Sequence, residues 1–105
     1  MPFNGACNMP MTVIVTRDVA DRYHGFLVSI MPEVAPGVFT SPELSKGVRE
    51  RIWGVLSEWW YSAPGGGILM VWKDDAAPGR LGVRSLGVSC RELADLDGVL
   101  ATKKR

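Results

Sequence analysis

Cysteine is scarce in this chain: 105 residues hold two, Cys7 and Cys90, far apart and without the spacing of a zinc site or a disulfide framework. They read as free thiols of a reducing compartment, so a cytoplasmic location is expected. Histidine is scarcer still. His24 is the only one, and its expected solvent-facing helix position makes it a poor general base. Net charge is also small, +1, which argues against polyanion binding by bulk charge alone. No apolar run approaches the roughly 20 residues of a membrane helix, so no membrane association is expected. The opening MPFNGACNMP lacks the basic start and long apolar stretch of a secretory signal. Repeats and internal linkers are absent as well.

What is present fits one folded domain. A hydrophobic share of 47% against 22% charged is ordinary for a globular chain, and this length buries about 60 to 70% of its unfolded surface. Residues 1–10 are expected to be a disordered extension, 11–101 a single domain and 102–105 a basic tail.

The organising stretch is MTVIVTRDVADRYHG, from Met11 to Gly25. Thr12 to Thr16 are all β-branched, which favours a buried central strand. Asp18 stands at the strand's charged end, where it is expected to cap the following helix by accepting from the amide of Ala20 or Asp21. Val19, Tyr23, Phe26, Leu27, Ile30 and Met31 recur at helical spacing, with Arg22, His24 and Ser29 outside the stripe. Pro32 ends that helix near Met31. Glu33 to Pro36 reads as a connector and Gly37 to Thr40 as a short strand.

Ser41 and Pro42 form a helix-start signature, with Glu43 complementing the dipole. Leu44, Val48, Ile52, Val55, Leu56 and Trp59 make the buried stripe, with Lys46, Arg49 and Glu50 on the wet side. Trp53, Trp59, Trp60 and Tyr61 are expected to pack in the core or an interface, rather than to form a ligand cage or base-stacking platform. The glycines at 65–67 are followed by a strand, with no Lys-Ser or Lys-Thr, so a phosphate-binding P-loop is rejected. Ile68 to Trp72 is the second apolar strand. Asp74 to Gly79 then has the composition of a hairpin connection. Leu81, Val83 and Leu86 suggest a further strand with Arg84 outward. Asp95 to Gly98 reads as a turn, and Val99 to Ala101 as a last short strand.

Charge is unevenly spread. From Ala76 to Arg91 there are Arg80, Arg84 and Arg91 and no acid, and the chain closes on Lys103, Lys104 and Arg105. Two one-sided helices among several short strands predict an α+β, ferredoxin-like two-layer sandwich, an antiparallel sheet with both helices on one face. The other face is left open, and a second copy covering it in a two-fold homodimer is expected.

Four separated segments, MTVIVTRDVADRYHG, PGVFTSPELSKGVRERIWG, GGILMVWKDD and RSLGVSCRELADLDG, resemble CRISPR-associated protein 2 of the type I-E systems, in the right order and with the right gaps. The resemblance spans Met11 to about Gly98. It implies a ferredoxin-like homodimer bridging CRISPR integrase subunits in the complex that captures foreign DNA and inserts it into the CRISPR array. Arg22 matches an arginine touching the backbone of the captured duplex, and His24 stands where a second basic residue is expected. Arg91 matches one member of an arginine pair, and Cys90 replaces the other. The family's segment after the DLDG turn docks the integrase as a strand, and here it comprises Val99 to Arg105.

Many such relatives are metal-dependent nucleases with an acid at the end of the first strand. That position is Arg17 here, and the nearest acid is Asp18. Two readings of Asp18 stand side by side: helix cap alone, or magnesium ligand, which would need a two-fold axis to bring two carboxylates together. The function expected is a non-catalytic, DNA-binding scaffold of spacer acquisition, with Arg22, His24, Arg84 and Arg91 on duplex phosphates. The first alternative is a magnesium-dependent endonuclease using Asp18. The second is an oligomeric or ligand-sensing module.

Overall fold

Strand β1 (Thr12–Arg17) lies at the centre of the molecule because its β-branched run can be covered on one face and paired on both edges. The computed structural model describes residues 10–87 and, as backbone, 92–96 and 99–103. The chain continues through α1 (Asp21–Val28), β2 (Glu33–Ala35), β3 (Val38–Ser41), α2 (Lys46–Ser62), β4 (Gly67–Lys73), a 3-10 turn at Pro78–Arg80, β5 (Leu81–Leu86), β6 (Glu92–Leu96) and β7 (Val99–Lys103). The main sheet runs β2-β3-β1-β4-β5, antiparallel throughout, while β6 and β7 pair separately. Each helix therefore links parallel strands across one intervening strand, α1 from β1 to β2 over β3, and α2 from β3 to β4 over β1. This is the interlocked split-βαβ plan of a ferredoxin-like sandwich.

Alternation along the strands sorts the sheet into two faces. Ile14, Phe39, Ile68, Met70, Trp72 and Leu86 point to one side and form a single core with Tyr23 and Leu27 of α1 and Ile52 and Leu56 of α2. Both helices thus cover the same face. Each fully buried aliphatic or aromatic side chain in this layer contributes about 1.5 to 3 kcal/mol. The opposite face carries Val13, Val15, Val38, Leu69, Val71, Leu81 and Val83 at adjoining register positions, all half-buried, with neither α1 nor α2 over them.

Several local expectations are corrected. Asp18 does not cap α1: the N-cap is Ala20, with no side-chain hydrogen bond, and Asp18 sits two residues earlier in a left-handed corner at φ 58°. α1 ends at Val28, where the Ser29 hydroxyl donates to the Phe26 carbonyl at 2.6 Å. Met31 still reaches the core through its amide bond to Leu27, but Ile30 is exposed. Glu33 to Ala35 is an edge strand rather than a connector, joined to β3 with a register shift.

The second helix also starts later than expected. Ser41 stays in β3 opposite Thr12, and its hydroxyl donates to the Glu43 carbonyl. Ser45 is the cap, accepting from the Val48 amide at 3.2 Å. Continued strand pairing competes with the earlier cap signal and wins.

Two arginines differ from their expected settings. Arg49 is not on the wet side: it is 7% exposed, with its guanidinium 4.4 Å from the centre of the Trp72 ring. It shares the 49, 52, 56 stripe with Ile52 and Leu56, and the indole face accommodates the charge. Val48 takes the exposed position instead. Arg84 is not outward, because it lies opposite Met70 on the helix-covered face and pairs with Glu50 of α2. Leu81 and Val83 accordingly face away from Leu86. Beyond β5, the Asp95–Gly98 turn reading gives way in part to strand, as β6 extends to Leu96, paired opposite Val99. Residues 1–9 of the expected extension, Cys7 among them, and Cys90, Arg91, Lys104 and Arg105 lie outside the described residues, while Pro10 accepts from the Leu44 amide at 3.1 Å.

Candidate nucleic-acid interface

One end of the sandwich holds two of the expected site residues, Asp18 and Arg22, beside Arg17. β1 ends at Arg17, α1 begins a short corner later, and the last turns of α2 lead through 63–66 into Gly67, which pairs with Arg17. Arg22, in the first turn of α1, lays its guanidinium 4.5 Å from the centre of the Trp59 ring in the last turn of α2. Trp59 is in turn fixed by edge contacts with Tyr23 and Phe26, each at 5.4 Å between ring centres. This cluster packs the two helices together and holds Arg22 on an aromatic platform. Its planar charge keeps its outward hydrogen-bond donors, a geometry suited to phosphate. Among the described residues neither Arg17 nor Arg22 has a carboxylate partner.

His24 and Arg84 are differently placed. His24 Nε2 is 2.7 Å from Glu33 Oε1, and Glu33 Oε2 accepts from the Gly37 amide at 2.9 Å. The bond from the Gly37 amide, followed by that from His24, holds the Glu33 carboxyl below its ordinary range. The pair clips α1 to the edge strand and the β2–β3 turn. Arg84 makes two contacts of 3.1 Å to Glu50, both side chains being 39% exposed. Either side chain reaches a phosphate only in competition with its own carboxylate partner. The sequence placed Arg22 and His24 on a helix surface, but nothing in it signalled Trp59 beneath Arg22 or Glu50 beside Arg84. Those partners come from elements joined only through the fold. Arg91 lies outside the described residues.

Asp18 opens on a groove lined with Arg17, Gly66, Gly67 and Gly87. Magnesium favours six oxygens, with one or two carboxylates among them. Among the described residues no group of three or more His, Cys, Asp or Glu side chains comes together, and the side chain that precedes Asp18 in sequence is a cation. Within one chain, the residues at this strand end do not fit magnesium. The aromatic expectation holds for three of its four members: Trp53, Trp59 and Trp60 are half-buried against the core, while Tyr61 is exposed beside Trp60. Among the described residues no helix is long and apolar enough to cross a membrane.

The model of a family described as CRISPR-associated protein (Cas_Cas2CT1978) matches residues 11–100, most of the chain. The chain therefore belongs to this CRISPR-associated, Cas2-type family.

Proposed function

We propose that the protein is a two-fold dimeric scaffold of CRISPR adaptation that grips duplex DNA by its phosphates, beside integrase subunits, without breaking bonds itself. The observation that carries this reading is Arg22, stacked on Trp59 with no carboxylate partner among the described residues. A guanidinium held this way loses little side-chain freedom on meeting a phosphate. Contacts of this kind follow backbone shape and carry no base information. His24, Arg84 and Arg91 are the secondary contacts, the first two weakened by Glu33 and Glu50.

The test is duplex binding across a salt series. Arg22→Ala is expected to weaken binding and to lower the log–log salt slope by about one unit for each phosphate that the side chain no longer neutralises. An unchanged slope would refute the assignment.

The dimer rests on the open sheet face. Seven aliphatic side chains at adjoining positions make an apolar surface that neither α1 nor α2 covers, and a two-fold axis lets the same patch cover itself. Val71, in the middle of β4, is near its centre. Val71→Glu is expected to yield monomers in sedimentation equilibrium at concentrations where the wild type is dimeric, because a closed interface would bury an unpaired carboxylate. A variant that still dimerises would place the interface elsewhere.

A further inference from the structure

Arg17 lines two adjoining depressions. One is the groove shared with Asp18, Gly66, Gly67 and Gly87, and the other runs along the open face beside Val15, Thr16, Gly67 and Leu69. The side chain is exposed and ends β1 at the rim of the apolar face. From the duplex-binding reading above, we infer that this strand end is an anion site, seating a backbone phosphate of nucleic acid against Arg17, and not a divalent-cation site built on Asp18.

Three observations carry the inference. Arg17 has no carboxylate partner among the described residues, so its charge is available. The remaining lining of the groove is glycine at three positions, so Asp18 is the only other side chain that meets a ligand seated against Arg17 there. Arg17 also lies five residues before Arg22, on the other side of the β1–α1 corner, so a second exposed arginine without a carboxylate partner among the described residues is nearby in the chain. Asp18 is the opposing element. Its carboxylate borders the same groove and repels a phosphate, with no cluster of acids among the described residues to make it a cation site.

The two readings predict opposite effects of one substitution. The experiment measures equilibrium binding of a short duplex to the full chain, with magnesium and with chelator, for wild type, Arg17→Ala, Arg17→Lys, Asp18→Asn and Arg22→Ala. Arg17→Ala is expected to lower the salt slope by about one unit per chain, with Arg17→Lys recovering part of it. Asp18→Asn is expected to tighten binding by about threefold, the order expected for removing one like charge across a water-filled groove, whether or not magnesium is present. Weaker, magnesium-dependent binding in Asp18→Asn would overturn the inference in favour of a cation site. An unchanged Arg17→Ala slope beside a reduced Arg22→Ala slope would overturn it alone, leaving the scaffold reading intact. Absence of wild-type binding, or no effect of Arg22→Ala, would remove the reading on which it rests, and the inference with it.

Discussion

Gly82→Val is expected to lower stability by about 3 to 5 kcal/mol, the range for removing a buried tryptophan from its packing. Gly82 lies directly opposite Trp72 in the β4–β5 register, and the indole crosses over it. A Cβ at position 82 would meet Trp72 Cε2 and Cζ2 far inside van der Waals distance, so the ring has to leave. Its departure also removes the platform under Arg49. Desolvation already pushes the Arg49 guanidinium below its ordinary pKa, and its Nε has no hydrogen-bond partner among the described residues. Without the indole, a buried cation loses its ring and has no ion pair among the described residues to replace it. Urea denaturation reads the effect as a lower midpoint with an unchanged slope. A double-mutant cycle identifies the cause: in a Trp72→Ala background, Gly82→Val should cost little, because the clashing ring is already gone. Additive costs would show that Gly82 acts through something other than Trp72.

Gly66→Ala is expected to cost about 2 to 4 kcal/mol. About 1 to 2 of this is the left-handed conformation itself, since Gly66 has φ 73°. The rest comes from contact with main chain that cannot swing aside. The new Cβ would press against the carbonyl oxygens of both Asp18 and Arg17, well inside van der Waals distance. The Gly66 carbonyl also accepts from Trp60 Nε1 at 3.3 Å, so movement of this loop disturbs the end of α2. Gly65 is the internal control. A Cβ there meets nothing within 4 Å, and Gly65→Ala is expected to stay within about 0.5 kcal/mol. Thermal or urea unfolding of the pair separates the two positions. Equal effects would mean that the close approach to the β1–α1 corner does not constrain the loop.

Much of the architecture was legible in local pattern. The β-branched run at 12–16 and the apolar run at 68–72 became β1 and β4 at the sheet's centre, and helical spacing brought Tyr23, Leu27, Ile52 and Leu56 into one core. Element ends were less legible, because more than one residue can supply a terminus. Asp18 and Ser41 both carry capping side chains, but a left-handed corner and a continued strand pairing occupy them, and Ala20 and Ser45 stand at the caps. The candidate site was legible only as a set of basic residues. Arg22, His24 and Arg84 look alike in a sequence. In the fold they stand on an indole, against Glu33 and against Glu50 respectively.

Local pattern sufficed for two central strands, two one-sided helices, a sheet with a second apolar face away from them, and arginine where the resemblance implies an acid at the end of the first strand. Periodicity is a local property, and a few consecutive residues record which side of an element is apolar. Which charges are already paired and which remain available was settled in three dimensions, because that depends on contacts between distant positions. Glu50 and Arg84 are 34 residues apart in the chain and meet through the packing of α2 on the sheet. Arg49 is buried because Trp72 lies beneath it, and Arg17 borders a groove because glycines 66 and 67 meet Gly87 there from a distant part of the chain.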